Sequence, residues 1–356
     1  MFILIDRDPR TIGAIEDPAA TVVASIDGDR AAALLESIAD HELPPALNDL
    51  VSEYQSFEAA RPPFIWKWVH HLAPANTMPF VDEAHHERVA TSKTMLVLFV
   101  TILDDLLEKY RDYETFDAIA SLARAGSHLD DEDVVGVEAP SDAVDDEYVT
   151  FATRVWEILV SRLERRAKFQ QYVPRFRFDV RQIVTAIEYS TLVIERPEQV
   201  TIHDLRRYET HNMGMHSYLD IDLMHASADL TRATADLRAA VDAAQQMARI
   251  GNWVSTWERE VLEGDVSSGV VVAALERGIV DPEDVPNPDD PDAEAASRVI
   301  DRIDDHDLEL EFLDEWNAQY RRLEALRDRI DVVDLGPFVE GTEEVLRYHL
   351  ASRGFK

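Results

Sequence analysis

Apolar residues recur at helical spacing wherever this chain shows a clear pattern. The spacing is visible in ALLESIADHELPPAL near the start, VWEILVSRLERRAKFQQYV from Val155, TADLRAAVDAAQQMARIGNWVSTWEREVL from Thr234 and LELEFLDEWNAQYRRLEALRDRI from Leu308. Strand-like alternation is scarce, apart from a short piece within the first few residues. The pattern predicts an all-α fold. The run MLVLFVTIL, Met95 to Leu103, is so nearly continuous in apolar residues that its helix should be buried around most of its girth. Two Asp- and Pro-rich stretches, 126–147 and 280–295, lack periodicity and read as solvated connections. Helices needing one shared core flank both stretches, so a single domain spanning 1–356 is expected.

Composition adds a charge problem. The 356 residues include 70 Asp and Glu against 35 Lys and Arg, a formal net charge of −35, while 46% hydrophobic residues suffice for a large core. The only lysines are Lys67, Lys93, Lys109, Lys168 and Lys356. An acidic surface poor in lysine reads as adaptation to high salt, where counterions screen self-repulsion. Such a charge disfavours nucleic acid and anionic membrane, which need clustered cations. An anionic substrate must then be held through bound cations. There is no cysteine, no run of about 18 apolar residues that would span a membrane, and no basic start to MFILIDRDPR that would mark a signal peptide. A cytoplasmic soluble protein is the default expectation.

Carboxylates are the first candidate chemistry. About a fifth of the chain is acidic, so the pattern of Asp104, Asp105 and Glu108 in DDLLE should arise roughly two to three times by composition alone. Its place at the end of the buried helix carries more weight, because unpaired charge there costs several kcal/mol. Asp104 and Glu108 share a helix face, with Asp105 about 100° away. A divalent cation is the natural partner, and hard oxygen ligands suit Mg²⁺. Further on, Asn252, Thr256 and Glu260 stand four residues apart, so each drifts only about 40° from the last and all three oxygens can face one ion. Arg206, before Gly214, and Arg347 with Tyr348 offer forks and a hydroxyl suited to phosphate oxygens. Gly214 itself should weaken or break its helix. Glu83 and His86 match half of a di-iron helix-bundle site, but with no second copy a surface or capping role is expected.

In combination these pieces resemble the class I terpene synthases of the bacterial, single α-helical domain type, over most of the chain and in order. DDLLE resembles the aspartate-rich motif of that family, and Asn252, Thr256 and Glu260 its second metal triad. Arg206 resembles the diphosphate-sensing arginine, with Glu209 at the linker and Thr210 at the effector position, and Arg347 and Tyr348 resemble the pair that closes over the diphosphate. Departures are Glu108 at the end of the first motif, Leu103 before it, Trp253 after Asn252 and Phe338 ahead of Arg347. The resemblance implies a helical bundle around a central cavity, three Mg²⁺ ions and an isoprenyl diphosphate substrate, farnesyl or geranylgeranyl. Cyclisation or elimination would follow ionisation, with chain-elongating transfer or non-catalytic isoprenoid binding as the alternatives. A homodimer is compatible with it. Phe64, Trp66, Phe99, Tyr189 and Trp316 are the aromatic candidates for lining the cavity, each weighed against ordinary core packing.

If screening holds the compact state together, the melting temperature should rise between dilute buffer and molar KCl. A thermal scan showing no rise would remove the argument for salt adaptation.

Overall fold

The computed structural model describes residues 17–57, 60–124, 144–286 and 292–354, and among them there is helix and no strand. The N-terminal stretch expected to hold a strand-like piece, and most of the acidic connection at 126–147, lie outside the described residues, as do residues 287–291 of the second connection.

Two of the helical runs divide in the structure. ALLESIADHELPPAL is shared between α2 (Gly28–Ala39) and α3 (Pro45–Tyr54), because Pro44 and Pro45 forbid continuation and suit a helix start instead. The run from Val155 divides between α7 (Asp146–Glu164) and α8 (Phe169–Glu195), which turn at the charged tetrapeptide Arg165–Lys168. The other two runs hold as α11 (Thr234–Leu262) and α14 (Leu308–Arg327). The remaining helices are α1 (Pro18–Ala24), α4 (Pro63–Leu72), α5 (His86–Glu108), α6 (Tyr113–Arg124), α9 (Ile202–Tyr208), α10 (Met215–His225), α12 (Gly269–Glu276), α13 (Ala293–Asp304) and α15 (Gly336–Ala351). Gly214 does break its helix: it adopts φ 66° between a 3₁₀ segment, Glu209–Met213, and the start of α10. The Glu83–His86 pair sits in a 3₁₀ turn that opens α5, where His86 Nε2 lies 3.0 Å from the Val81 carbonyl.

The core forms around α5, α10 and α11. Helix α5 packs against α4, α6, α7, α8 and α10, and α11 against α10, α12, α13, α14 and α15. Every residue of α10 is buried, including its polar ones, and pairing offsets that cost for some of them though not for Ser217, whose hydroxyl has no hydrogen-bond partner. Asp222 meets Lys93 of α5 at 2.8 Å, and the Lys93 ammonium also donates to the Asn76 carbonyl and Thr77 hydroxyl. Burial pushes the Lys93 ammonium down and the Asp222 carboxyl up, each against the attraction of the other. Burial likewise pushes Asp220 well above the usual carboxylate range, reinforced by Asp179, which Arg238 grips through two hydrogen bonds of 2.6 and 2.9 Å.

A satellite core joins α2, α4 and α15 through Leu34, Ile38, Leu72, Tyr348 and Ala351. Its polar edge is histidine. His41 Nε2 lies 2.8 Å from His70 Nδ1, and His71 Nε2 lies 2.9 Å from the Tyr348 hydroxyl, which also meets Ser37 Oγ at 3.0 Å. Burial, then the neighbouring His41 and His71, lowers His70 from 6.5 to about 4.

Two outcomes follow from these buried groups. Lys93→Met leaves the Asp222 carboxylate unpaired in the core and should cost about 3–5 kcal/mol in denaturant titration, whereas pairing it with Asp222→Leu should recover much of that loss. For His70, the unfolded chain takes up the proton first as pH falls. Stability should therefore be retained above pH 6.5 and lost between 6.5 and about 4, by at most about 3 kcal/mol, and His70→Gln should flatten that slope.

Candidate metal and diphosphate site

The last turns of α5 bring Asp104, Asp105 and Glu108 inside the protein, because the apolar run before them commits the helix to the core through Leu107. Asp105 is fully engaged. It accepts from the Tyr54 hydroxyl at 2.9 Å and from Arg61 Nε at 2.9 Å, and Lys109 lies 3.0 Å away. Asp104 shares the same Arg61 at 2.7 Å and receives the Asn212 amide at 3.3 Å. Burial opposes the Arg61 charge, but Asp105 and Asp104 outweigh it and hold the guanidinium above its ordinary value. Glu108, one turn on, has no comparable partner: burial, then Asp104 and Asp265, pushes it well above the usual carboxylate range.

The second face lies on α11. Arg249 Nη1 donates to Asn252 Oδ1 at 2.9 Å, and the Thr256 hydroxyl donates to the Asn252 carbonyl at 2.9 Å, leaving the hydroxyl lone pairs free. Glu260 is pushed up to about 7 by burial, then by Asp265, with Arg259 3.5 Å from it pulling the other way. Asp265 follows α11 in a turn closed by its own acceptance from Ser267 N at 2.8 Å, and burial raises it too. Asp265 adds to the rise of Glu108, and Asp104 to that of Asp265, so the end of α5 and the turn after α11 are electrostatic neighbours. Arg249 stands between them, lowered by burial against the pull of Glu260, Glu108, Asp104 and Asp265.

The donor set fits a hard divalent cation: carboxylates, an amide and a hydroxyl, with no sulfur or imidazole. The carboxylates also repel one another in a buried space, which a cation would relieve. Among the described residues no three acidic or histidine side chains are drawn closely enough together to form a finished coordination sphere, since arginines hold them apart.

The segment from Arg206 is tied to this face. Glu209, wholly buried, pairs with the same Arg249, Nε to Oε2 at 3.0 Å, so one guanidinium joins Glu209 to Asn252. The Thr210 hydroxyl donates to the Arg206 carbonyl at 3.1 Å, and Gln246 of α11 donates to that carbonyl at 3.0 Å. The Arg206 guanidinium itself pairs with Glu315. Arg347 pairs with Glu344 and Tyr348 sits in the satellite core, so neither touches the carboxylates. Sequence reading passed over Arg61, Arg249, Asn212 and Asp265. Arg249 was open to notice as a guanidinium three residues before Asn252, and Asp265 as the acid closing EREVLEGD, whereas Arg61 and Asn212 reach Asp104 only through tertiary packing.

The aromatic candidates disperse into separate packing pairs. Trp66 meets Tyr54 edge-on at 5.3 Å, Phe99 meets Trp156 at 4.8 Å, Tyr189 meets Tyr208 at 5.3 Å and Trp316 stacks on Tyr320 at 5.4 Å, while Phe64 packs in the satellite core. The pocket enclosed by α10, α11 and α15 measures about 10 Å³; Met215, Met247, Thr342 and Leu346 are on its wall and none of the five aromatics is.

No described helix is long and apolar enough to cross a membrane. No curated protein matches the chain. Solved structures similar to it include wild-type cucumene synthase, at 14% identity over 88% of this chain and 94% of that one, TM-score 0.49. A geranylgeranyl pyrophosphate synthase from Corynebacterium glutamicum ATCC 13032 is 14% identical over 95% of this chain and 93% of that one, TM-score 0.49. A polyprenyl synthetase from Streptomyces coelicolor A3(2) is 13% identical over 94% of this chain and 96% of that one, TM-score 0.54, a likeness of all-α fold. The model of terpene synthase family 2, C-terminal metal binding, matches residues 95–287, a span that runs from the buried stretch of α5 past Asp265 and takes in both oxygen-bearing faces. The chain belongs to that family.

Proposed function

We propose that the protein ionises an isoprenyl diphosphate of farnesyl or geranylgeranyl size in a Mg²⁺-dependent step and guides the allylic cation to cyclisation or elimination, releasing diphosphate. The observation that carries this reading is that Arg249, which donates to Asn252 at 2.9 Å, feels the charges of Glu260 on α11 and of Glu108 and Asp104 on α5 together, so the two oxygen-bearing helix faces share one guanidinium. Asp104 and Glu108 would hold metal on one side and the Asn252 triad on the other, with three ions expected. When bound, Mg²⁺ supplies the positive charge that lets a diphosphate approach so acidic a protein and leave with its electrons.

The chain's own groups supply the rest. Asp105, held by Tyr54, Arg61 and Lys109, orients the end of α5. Asp104 and Asn252 would hold a cation with the oxygens that Arg61 and Arg249 now engage, and both guanidiniums are suited to phosphate oxygens. Arg206 and Arg347, now paired with the half-buried Glu315 and Glu344, can exchange those partners for the diphosphate. Tyr348 offers its hydroxyl. Ionisation needs a dry interior, for which the buried apolar residues of the run Met95 to Leu103, directly before Asp104, are suited. The position of an elongating transferase's second aspartate-rich motif is held here by Asn252, Thr256 and Glu260, which favours cyclisation or elimination over chain growth.

Incubation in molar KCl with Mg²⁺ and geranyl, farnesyl or geranylgeranyl diphosphate should release diphosphate and a hydrocarbon or alcohol no longer than the substrate. A longer product would assign a transferase, and no diphosphate release from any of the three would end both readings. Asn252→Ala and Glu260→Ala should each lower kcat/KM by about a hundredfold or more while helical circular dichroism is unchanged.

A further inference from the structure

The Tyr348 hydroxyl is engaged from two helices at once. Its oxygen lies 2.9 Å from His71 Nε2 on α4 and 3.0 Å from Ser37 Oγ on α2, and the side chain is buried between them. Helix α4 is fixed against α15 one turn before His71, where the Trp68 indole N–H donates to Ser352 Oγ at 3.1 Å and the Trp68 ring meets His349 edge-on at 5.0 Å. The His71 ring is hemmed in as well, 5.3 Å from the Tyr348 ring and 5.1 Å from that of His41.

The protons around this hydroxyl can be counted. Ser37 Oγ donates to the Leu34 carbonyl at 2.6 Å, so it has only lone pairs to offer Tyr348. Tyr348 must then give its own proton to Ser37, and a hydroxyl has no second one to give. His71 Nε2 is left as the donor to the Tyr348 oxygen. Any other assignment puts two lone pairs face to face in one of the three contacts. The chain of donors therefore runs from His71 to Tyr348, to Ser37 and to the Leu34 carbonyl. Arg347, the residue before Tyr348, is held in the same manner: its Nε donates to Ser25 Oγ at 3.4 Å, and Ser25 Oγ donates to the Val22 carbonyl at 2.7 Å. Both members of the pair thus give a proton to a serine whose own proton is already spent.

A phosphate oxygen accepts hydrogen bonds and donates none. It can replace Ser37 as the acceptor for Tyr348, but it cannot replace His71. A donor on the phenol oxygen also polarises the O–H bond and makes it the stronger donor to whatever it meets. We propose, resting on the reading that Tyr348 serves the diphosphate, that His71 is a positioning residue. Through Nε2 it holds and polarises the Tyr348 hydroxyl, whose hydrogen bond passes from Ser37 to a diphosphate oxygen. No proton is transferred in this exchange; one acceptor takes the place of another, and His71 itself touches neither metal nor substrate.

Nitrogen NMR of the imidazoles in the ligand-free chain reads the donor, and calorimetric titration with diphosphate, in molar KCl with Mg²⁺, reads the exchange. His71 should carry its proton on Nε2, with a resonance that shifts in Tyr348→Phe. His71→Leu should weaken diphosphate binding about two- to tenfold, the range of one hydrogen bond, and His71→Gln, whose amide can donate from the same place, should restore most of it. Ser37→Ala removes the competing acceptor and should tighten binding. Because His71 acts through Tyr348, His71→Leu should add nothing to the loss in a Tyr348→Phe background. Should His71→Leu fail to fold, Ser37→Ala and the NMR signal read the same chain of donors from its other end. No Mg²⁺-dependent diphosphate binding by the parent chain would end the reading of the whole site and this role with it. Binding by the parent, together with a lone pair on His71 Nε2, additive losses in the double variant or no gain in Ser37→Ala, would overturn the role of His71 alone.

Discussion

Opposed carboxylates at the mouth of the helix bundle are the constraint on which the rest of this structure depends. Asp104, Asp105 and Glu108 are carried inward by an apolar helix that has no alternative to burial, and Glu260 and Asp265 are carried toward them by α11 and the turn after it. Left alone, such a set would ionise only at high cost. The chain answers with Arg61, shared between Asp104 and Asp105, and Arg249, shared between Glu209 and Asn252, while burial pushes the Glu108, Glu260 and Asp265 carboxyls upward. The arrangement is a compromise that a divalent cation would resolve, since its charge would favour the ionised carboxylates without the arginines.

The compromise also wires the site together. Arg249 holds Glu209 and Asn252 at once, so the 3₁₀ segment that ends at Gly214 cannot shift without disturbing the Asn252 amide, nor the reverse. The left-handed conformation at Gly214 gives this segment a hinge that a residue with a Cβ would strain. A group pulling on Arg206 would act on Thr210 and Gln246 through the Arg206 carbonyl. Here lies a physical route by which arrival of an anion can be felt at α10, whose start lies on the wall of the small apolar pocket.

Much of this was legible in the sequence, for reasons that differ by residue. The all-α fold followed from 3.6-residue spacing, and the break at Gly214 from backbone sterics. Asp104 with Asn252, Thr256 and Glu260 could be picked out because helical periodicity converts spacing into a shared face. Periodicity does not report where one helix becomes two without a proline, so the turn at Arg165–Lys168 was read through. It is equally silent on which distant cation meets which acid. Arg61 reaches Asp104 from the start of α4, across 43 positions, and only the packed structure shows it occupying the carboxylates that a metal needs. Aromatic residues mislead in the same way: Phe99 and Trp316 fall on inward faces, and inward faces of helices are mostly core.

The balance of charge therefore changes along α5. Midway, Lys93 and Asp222 are matched one to one inside the core. At the C-terminus Asp104 and Asp105 divide Arg61 between them, and Glu108 has no ion pair among the described residues. The matched pair is closed by burial, whereas the set at the helix end is short of cations and open to a ligand of positive charge.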